Sequence, residues 1–389
     1  MGCSDGEVAG RDCEILSMIF DMSISLAGFF FLSVGMIVSV LLFFQSRSVF
    51  FPLLFLWHSA FAIVYCAYSI NNPADAKYYY SAELREFALG TDFVHYLTIY
   101  SKNIFFASYL DLFFLFSLFG FFGLSLLYSA LIGFCNRRES VVLLWVVMFL
   151  PGLSFWTSAI GKDSLVFFAL SLLVFSFLKK GRWFYFLASV SLILVFLVRP
   201  HIVMMLIFSF ALASFFSSGL SLSRKLTSLF LIAPIVVLLM PYVMEYVGLN
   251  ELSLESAESY VETRQSYNQV GGGAVDLSSH GPVYAVFSYM FRPLFVDANG
   301  LLPLVASFEN VVYLFMFSYA AHSILVRRVS MPSAGWFFLC STIFLWLVLG
   351  VTTSNLGIAL RQKLMIFPFY VSLFFLFLGL EKTDDNVQG

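Results

Sequence analysis

The chain has few charged residues. Asp, Glu, Lys and Arg make up 11% of its 389 residues, whereas a soluble domain contains roughly 25%. Hydrophobic residues account for 60%, and the mean hydropathy is +0.91. So few polar side chains cannot coat a water-soluble globule. The composition therefore excludes an ordinary soluble protein and predicts an integral membrane protein.

Cysteine is also scarce, and its spacing lacks the patterns of known metal sites. The five cysteines, Cys3, Cys13, Cys66, Cys135 and Cys340, form no CxxC pair, which argues against a disulfide framework or a cysteine-based metal site. The chain has no HExxH spacing, P-loop or dinucleotide motif. We therefore expect no metal, no cofactor and no nucleic-acid partner. The acidic N-terminus is unlike the positive start of a signal peptide, so we expect the first apolar segment to be retained.

What the sequence does have is a series of long apolar runs, which are typical of transmembrane helices. They predict an all-α membrane protein, a polytopic bundle of about eleven transmembrane helices that forms a single domain over 1–389. The predicted spans are 18–44, 49–70, 104–134, 141–156, 164–178, 183–198, 202–217, 226–244, 302–326, 334–352 and 364–380.

Two long loops separate the spans, at 71–103 and 246–301. Aromatic residues among polar ones in the first loop indicate short helices at the membrane interface. In the second loop, residues 283–296 are apolar but too short to span. Gly271, Gly272 and Gly273 predict a flexible hinge there, so this loop is a candidate lid.

The basic residues of the short loops predict the orientation, because Lys and Arg accumulate on the cytoplasmic side. With eleven spans, five basic loops fall on one side, which places the N-terminus outside and the C-terminus in the cytoplasm. These loops contain Arg47; Arg137 and Arg138; Lys179, Lys180 and Arg182; Arg224 and Lys225; and Arg327 and Arg328.

Five cations depart from this rule, because the same topology places them on the outer side. They are Lys162, Arg199, Arg292, Arg361 and Lys363. Arg and Lys at one membrane face are suited to hold a phosphate or diphosphate group. Each of them could instead anchor a helix end by snorkelling, and Lys162 could simply pair with Asp163.

Three residues are candidates for a catalytic acid or base. Glu309 lies about two turns into a predicted span, where a carboxylate is costly and is a functional candidate by default. Its alternative role is an ion pair with a neighbouring Arg. Asp75 follows the second span, and His201 follows Arg199 and Pro200, where it could be a base or only a polar cap. Asp21 and Asp92 are weaker candidates.

Five short segments resemble the Wzy-type polymerases of O-antigen and oligosaccharide repeat units, which are polytopic and GT-C-like. The segments are Leu150–Asp163, Arg199–His201, Phe291–Pro293, Ser307–Asn310 and Ser354–Arg361. The resemblance extends over roughly 75–365 and rests on short motifs.

The resemblance implies an enzyme of the bacterial inner membrane. Such an enzyme joins repeat units carried on undecaprenyl diphosphate at the periplasmic face, during lipopolysaccharide O-antigen or other surface polysaccharide synthesis. Its partners would be the lipid-linked glycan, membrane lipid and a chain-length regulator protein. The resemblance points to Arg199, Arg292 and Arg361 as functionally important residues.

Two other functions remain open. One is a GT-C glycosyltransferase that uses a polyprenyl-phosphate sugar, with Asp75 as its base, or a related O-antigen ligase. The other is a flippase of lipid-linked oligosaccharide, which would need charges reachable from both membrane faces. The grouping of the candidate residues at one predicted face favours an enzyme.

Overall fold

The computed structural model describes residues 23–84, 86–217, 221–249, 251, 253–268, 273–274, 281–327 and 329–385. The acidic N-terminus, Asp21, Gly271, Gly272 and Arg328 lie outside the described residues. The expectations drawn from these positions stay predictions.

The described part of the chain is almost entirely helical. It contains seventeen α-helices, three short 3-10 turns and one isolated β-bridge, between Ala274 and Asn355. In chain order the helices are α1 (Leu26–Ser46), α2 (Phe50–Asn71), α3 (Asp75–Tyr80), α4 (Thr91–Phe105), α5 (Tyr109–Leu131), α6 (Arg138–Met148), α7 (Pro151–Thr157), α8 (Lys162–Lys179), α9 (Phe184–Val198), α10 (Pro200–Phe216), α11 (Leu222–Val247), α12 (Leu254–Asn268), α13 (Gly281–Phe291), α14 (Leu301–Leu325), α15 (Ser333–Thr352), α16 (Leu356–Gln362) and α17 (Phe367–Asp385).

Six of the described helices are long and apolar enough to cross a membrane: α1, α2, α5, α11, α14 and α15. The number rises to eight if each of two bent helix pairs counts as one span. α6 and α7 are bent by 41° at their break, and α16 and α17 by 61°. The predicted all-α class is therefore confirmed, and the apolar helices are consistent with a multi-pass membrane protein. The count of eleven spans remains a prediction.

Local sequence signals explain several helix ends. Ser25 caps α1, since its hydroxyl accepts a hydrogen bond from the backbone N–H of Ala27 at 3.1 Å. Pro200 occupies the first turn of α10, where its missing N–H costs nothing. At the C-terminal end of α11, Gly248 has φ 84°, a left-handed conformation that favours glycine.

The chain divides into two compact units. The first comprises residues 1–125 and 153–168, and the second comprises 126–152 and 169–389. In the first unit, Tyr65 packs on Phe155 with ring centroids 4.6 Å apart, and Ser69 and Tyr109 share a hydrogen bond of 2.8 Å. Loop 71–103 contains α3 and α4, which contact each other. Their predicted place at the membrane interface stays a prediction.

In the second unit, α15 packs against α10, α13 and α17. Gly350 permits the close approach of α13, since a Cβ there would lie 3.1 Å from Cα of Val286. The indole N–H of Trp346 also donates to the carbonyl of Val286 at 2.7 Å. These contacts hold α13, the short apolar helix of the second long loop, against a long apolar helix.

Two other described residues of the second long loop, Gln265 and Gly273, contact the junction between α15 and α16. The Gln265 side chain donates to the carbonyl of Val351 at 2.8 Å, and Ser354 donates to the carbonyl of Gln265 at 2.7 Å. The backbone N–H of Leu356 donates to the carbonyl of Gly273 at 2.8 Å. Gly273 is the one described residue of the predicted hinge, and it is held in place by this contact.

Candidate functional site

The predicted site residues are divided between the two units. Asp75 and Lys162 belong to the first unit. The second unit contains the other six: Arg199, His201, Arg292, Glu309, Arg361 and Lys363.

Arg292 lies directly after α13, and its guanidinium is held by neighbours in the chain. Nε and Nη2 donate to the two carboxylate oxygens of Asp297 at 3.0 and 2.6 Å, and Nη1 donates to the hydroxyl of Tyr284. Three of the five N–H donors of this guanidinium are thus used, which leaves two for a ligand. The side chain keeps 22% of its surface exposed.

The same pairing affects the ionisation of both groups. The hydrogen bonds from Arg292 hold the pKa of the Asp297 carboxyl below its usual value, against the smaller opposing effect of desolvation. The hydrogen bond to Asp297 likewise raises the pKa of Arg292. Arg292 therefore carries its charge with a fixed orientation.

Lys363 is buried, with 4% of its surface exposed, and it braces the backbone of Arg292. Its ammonium donates to Oδ1 of Asn310 at 2.7 Å and to the carbonyl of Arg292 at 3.3 Å. The Asn310 amide in turn donates to the carbonyl of Pro293 at 2.8 Å. The buried side chains of Lys363 and Asn310 thus donate to the backbone carbonyls of Arg292 and Pro293, respectively.

Glu309 is also buried, at 5% exposure, and one of its oxygens accepts a hydrogen bond from the backbone N–H of Gly152 at 2.5 Å. Gly152 leaves room for this contact, because a Cβ there would collide with the carboxylate. Lys363 interacts electrostatically with Glu309. The described partners of Glu309 are thus a backbone N–H and a lysine charge, whereas the alternative role considered from the sequence was an ion pair with Arg.

Arg199 and His201 lie at the break between α9 and α10, next to two tyrosines. The guanidinium of Arg199 interacts electrostatically with the hydroxyls of Tyr246 and Tyr289. The ring of His201 stacks on Tyr246 with centroids 5.4 Å apart and planes 15° apart. Both side chains are partly exposed.

Arg264 joins this group, although the sequence analysis did not select it. Its charge also acts on Tyr246, and its Nε donates to the hydroxyl of Tyr260 at 3.2 Å. Arg264 is exposed and lines a cavity of about 520 Å³ between the end of α11 and α12. The residue lies in a predicted outer loop, so the positive-inside rule that selected the other cations could have found it.

Arg361 lies in the last turn of α16 and is partly exposed. Asn355 caps this helix, because its Oδ1 accepts from the N–H groups of Gly357 and Ile358 at 2.9 and 3.3 Å. α16 packs against α13, the helix that ends next to Arg292. The fold of the second unit therefore brings the segments of Arg292 and Arg361 together.

In the first unit, Asp75 is exposed at the start of α3, and Lys162 is partly exposed at the start of α8. Asp163, beside Lys162, is buried at 5% exposure. Their predicted roles stay predictions.

Two further observations bear on the chemistry. No cluster of three or more His, Cys, Asp or Glu side chains that could hold a metal ion occurs among the described residues. Comparison of the chain with known protein families, with curated proteins and with solved structures found no match.

Proposed function

We propose that this protein polymerises undecaprenyl-diphosphate-linked oligosaccharide repeat units at the periplasmic face of the bacterial inner membrane. The observation that carries the proposal is that shared tyrosine neighbours link cations from distant segments of the second unit. The charge of Arg199 acts on Tyr289, near the C-terminal end of α13, and the charges of Arg199 and Arg264 both act on Tyr246. Arg292 follows three residues after Tyr289.

This arrangement suits a diphosphate leaving group. A guanidinium grips phosphate oxygens through paired N–H donors, and cations held before the reaction stabilise the negative charge that develops as the sugar–phosphate bond breaks. Arg199, Arg264, Arg292 and Arg361 are partly or fully exposed, so a lipid-linked diphosphate can reach them. We assign the diphosphate contact to these four arginines of the second unit.

The buried Glu309 and Lys363 have a different role in this proposal. Both side chains are at most 5% exposed and make internal hydrogen bonds. They hold Gly152 and the Arg292–Pro293 backbone in place, and so act as positioning residues. Direct contact of Lys363 with the diphosphate would require the ammonium to leave its buried partners.

The reaction needs a base for the acceptor sugar. The hydroxyl oxygen of the acceptor unit attacks the anomeric carbon of the growing chain, the bond from that carbon to the diphosphate oxygen breaks, and undecaprenyl diphosphate leaves. His201 lies beside Tyr246 and Arg199 and is partly exposed. We therefore assign it as the base that accepts the proton of the acceptor hydroxyl. Asp75, in the first unit, stays the base of the alternative GT-C transferase.

The proposal includes the topology expected from the sequence. Eleven spans place the N-terminus and the two long loops outside and the C-terminus in the cytoplasm. The four arginines then face the periplasm, where the protein would encounter the lipid-linked units and a chain-length regulator.

The test is the electrophoretic glycan profile of a deletion strain. We expect lipopolysaccharide capped with a single repeat unit, and a full ladder after complementation with the wild-type gene. A full ladder in the deletion strain would refute the proposal. Loss of all exported glycan would indicate a flippase, and one missing or altered sugar in every unit would indicate a transferase.

The same assay tests the arginines. Arg199→Ala, Arg264→Ala, Arg292→Ala and Arg361→Ala should leave single-unit lipopolysaccharide at normal protein levels. Arg137→Ala is the matched control, because Arg137 is exposed and lies in a predicted cytoplasmic loop, so it should restore the ladder. Normal ladders from all four arginine variants would contradict the diphosphate role.

A further inference from the structure

A second cavity lies in the second unit, away from the residues discussed so far, where four helices end or begin. α8 and α10 end there, at Lys179 and Phe216, and α9 and α15 begin there, at Phe184 and Ser333. The cavity has a volume of about 450 Å³, within the range of roughly 300–1,000 Å³ that is typical of small-molecule sites.

The floor of this cavity is aromatic. Phe177 stacks on Phe337 with ring centroids 4.6 Å apart, and Phe210 and Phe184 pack against the same pair. Ala213 on α10 also lines the cavity, and its small side chain keeps the space open. The aromatic side chains of this slot suit a hydrocarbon chain.

The rim of the cavity is polar and basic. Lys180 lies at the rim and is exposed, and no described side chain forms an ion pair with its ammonium. The hydroxyls of Ser217 and Ser333, which also line the cavity, are 3.0 Å apart. Arg182, two residues after Lys180, rests over the ring of Trp183 at 5.4 Å.

Exposed aromatic residues mark this end of the helices as a membrane interface. Trp183 and Tyr185 are 57% and 81% exposed, and Trp and Tyr are enriched at the level of the lipid head groups. Basic pockets between transmembrane helices on the cytoplasmic side bind anionic lipid head groups. The loop of Lys179, Lys180 and Arg182 is one of the five predicted cytoplasmic loops.

We propose that this cavity is a binding site for one anionic phospholipid of the cytoplasmic leaflet. One acyl chain occupies the aromatic slot, the phosphate contacts Lys180, and the serine hydroxyl that does not donate within the Ser217–Ser333 pair donates to the head group. The site is independent of the glycan chemistry proposed above.

The test is native mass spectrometry of the full-length protein in detergent with an equimolar mixture of phosphatidylglycerol and phosphatidylcholine. We expect one bound phosphatidylglycerol per chain, with at least a fivefold preference over phosphatidylcholine. Equal retention of the two lipids would overturn the proposal, because the cavity would then take an acyl chain without recognising a head group.

Variants at Lys180 test whether this side chain causes the preference for phosphatidylglycerol. This residue has φ 40°, in the left-handed region, which Asn tolerates better than most residues. Lys180→Asn therefore removes the charge without adding backbone strain, and it should abolish the preference. Lys180→Arg should retain it, as should the control Arg137→Ala. An unchanged preference in Lys180→Asn would overturn the proposal.

A filling variant tests the slot separately. Gly181 lines the cavity, and a Cβ at this position meets no atom within 4 Å, so Gly181→Phe should fold. It should lower phosphatidylglycerol retention while Lys180 is intact. A different outcome is that the wild type shows no lipid preference and that Gly181→Phe or Lys180→Asn changes the oligomeric state. The cavity would then be a contact between copies of the chain, and the lipid proposal would fail.

Discussion

At the scale of single residues, the contact between Gly152 and Glu309 depends on the absence of a side chain. Replacing glycine by alanine within a helix usually stabilises it by about 0.5–1 kcal/mol. At Gly152 the added methyl group would meet the Glu309 carboxylate, and forcing an atom into a packed site costs about 1–3 kcal/mol. The steric cost is the larger of the two effects.

We therefore expect Gly152→Ala to lower the thermal stability of the purified protein and to shorten the glycan ladder. Gly133→Ala is the matched control, since a Cβ there meets no atom within 4 Å, and it should behave like the wild type. Equal stability of the two variants would show that Glu309 can move aside at little cost.

The pairing of Arg292 with Asp297 predicts a pH dependence. The pKa of Asp297 is lowered in the folded protein from the usual 3.8 by its hydrogen bonds from Arg292. The resulting stability is fully present above about pH 4 and is lost as the pH falls through the lowered pKa. Because the pair is partly exposed, its contribution is about 1 kcal/mol or less.

Asp297→Asn should accordingly remove part of the acid sensitivity. We expect the wild type and Asp297→Asn to differ in unfolding midpoint at pH 6 and to differ less at pH 3, because the pKa of Asp297 is lowered in the folded state. A difference that stays constant between these two pH values would mean that ionisation of Asp297 does not contribute.

Lys363 and Asn310 form a pair whose coupling can be measured. Lys363→Met leaves the Asn310 oxygen buried without its donor, at a cost of about 1–3 kcal/mol. Asn310→Leu has a comparable effect on the ammonium. The double variant should lose less than the sum of the two, with a coupling of roughly 0.5–3 kcal/mol. Additive losses in thermal unfolding would show that the two side chains do not act together.

At the scale of helices, one carboxylate joins the N-terminal ends of α1 and α5. Asp111 is fully buried and accepts hydrogen bonds from the N–H of Ser25 at 3.2 Å, the hydroxyl of Ser25 at 2.5 Å and the N–H of Ser108 at 2.8 Å. Gly28 on α1 faces the same carboxylate, and a Cβ there would collide with it. Asp111 thus caps one helix while belonging to another.

We expect Asp111→Ala to loosen the start of α1. Loss of these charge-assisted bonds should cost about 1–3 kcal/mol and speed amide exchange at Ala27 and Phe29. The control is Ser46→Ala at the other end of α1, where an exposed hydroxyl donates to the carbonyl of Leu42 and accepts from the N–H of Ser48. Unchanged exchange in Asp111→Ala would show that the cap is not needed to hold this end.

At the scale of the whole molecule, the span count decides on which side each end of the chain lies. An odd number, such as the eleven predicted, places the two termini on opposite sides. We expect a green fluorescent protein fused after residue 389 to fluoresce, and an alkaline phosphatase inserted after Ser81 to be active. An active phosphatase at the C-terminus would require an even count or the reverse orientation.

Much of the helical architecture follows from the sequence, because hydropathy is a local property. The run of apolar residues in α14 and the charge pattern of Lys179, Lys180 and Arg182 can be recognised without any tertiary contact. The break at Pro151 likewise follows from the restricted backbone of proline. In contrast, the positive-inside rule could have selected Arg264, but only the folded structure shows that its charge acts on Tyr246.

The sequence by itself determined that this chain is helical and apolar. It also identified the charged residues that are energetically costly to place within such a chain. Only the tertiary structure decided what those residues contact. It placed Glu309 against Gly152, 157 positions away, and buried Lys363 against Asn310 and the Arg292 carbonyl. The physical reason is that composition and spacing set the cost of burying a charge, whereas the partners that offset this cost come from other parts of the fold.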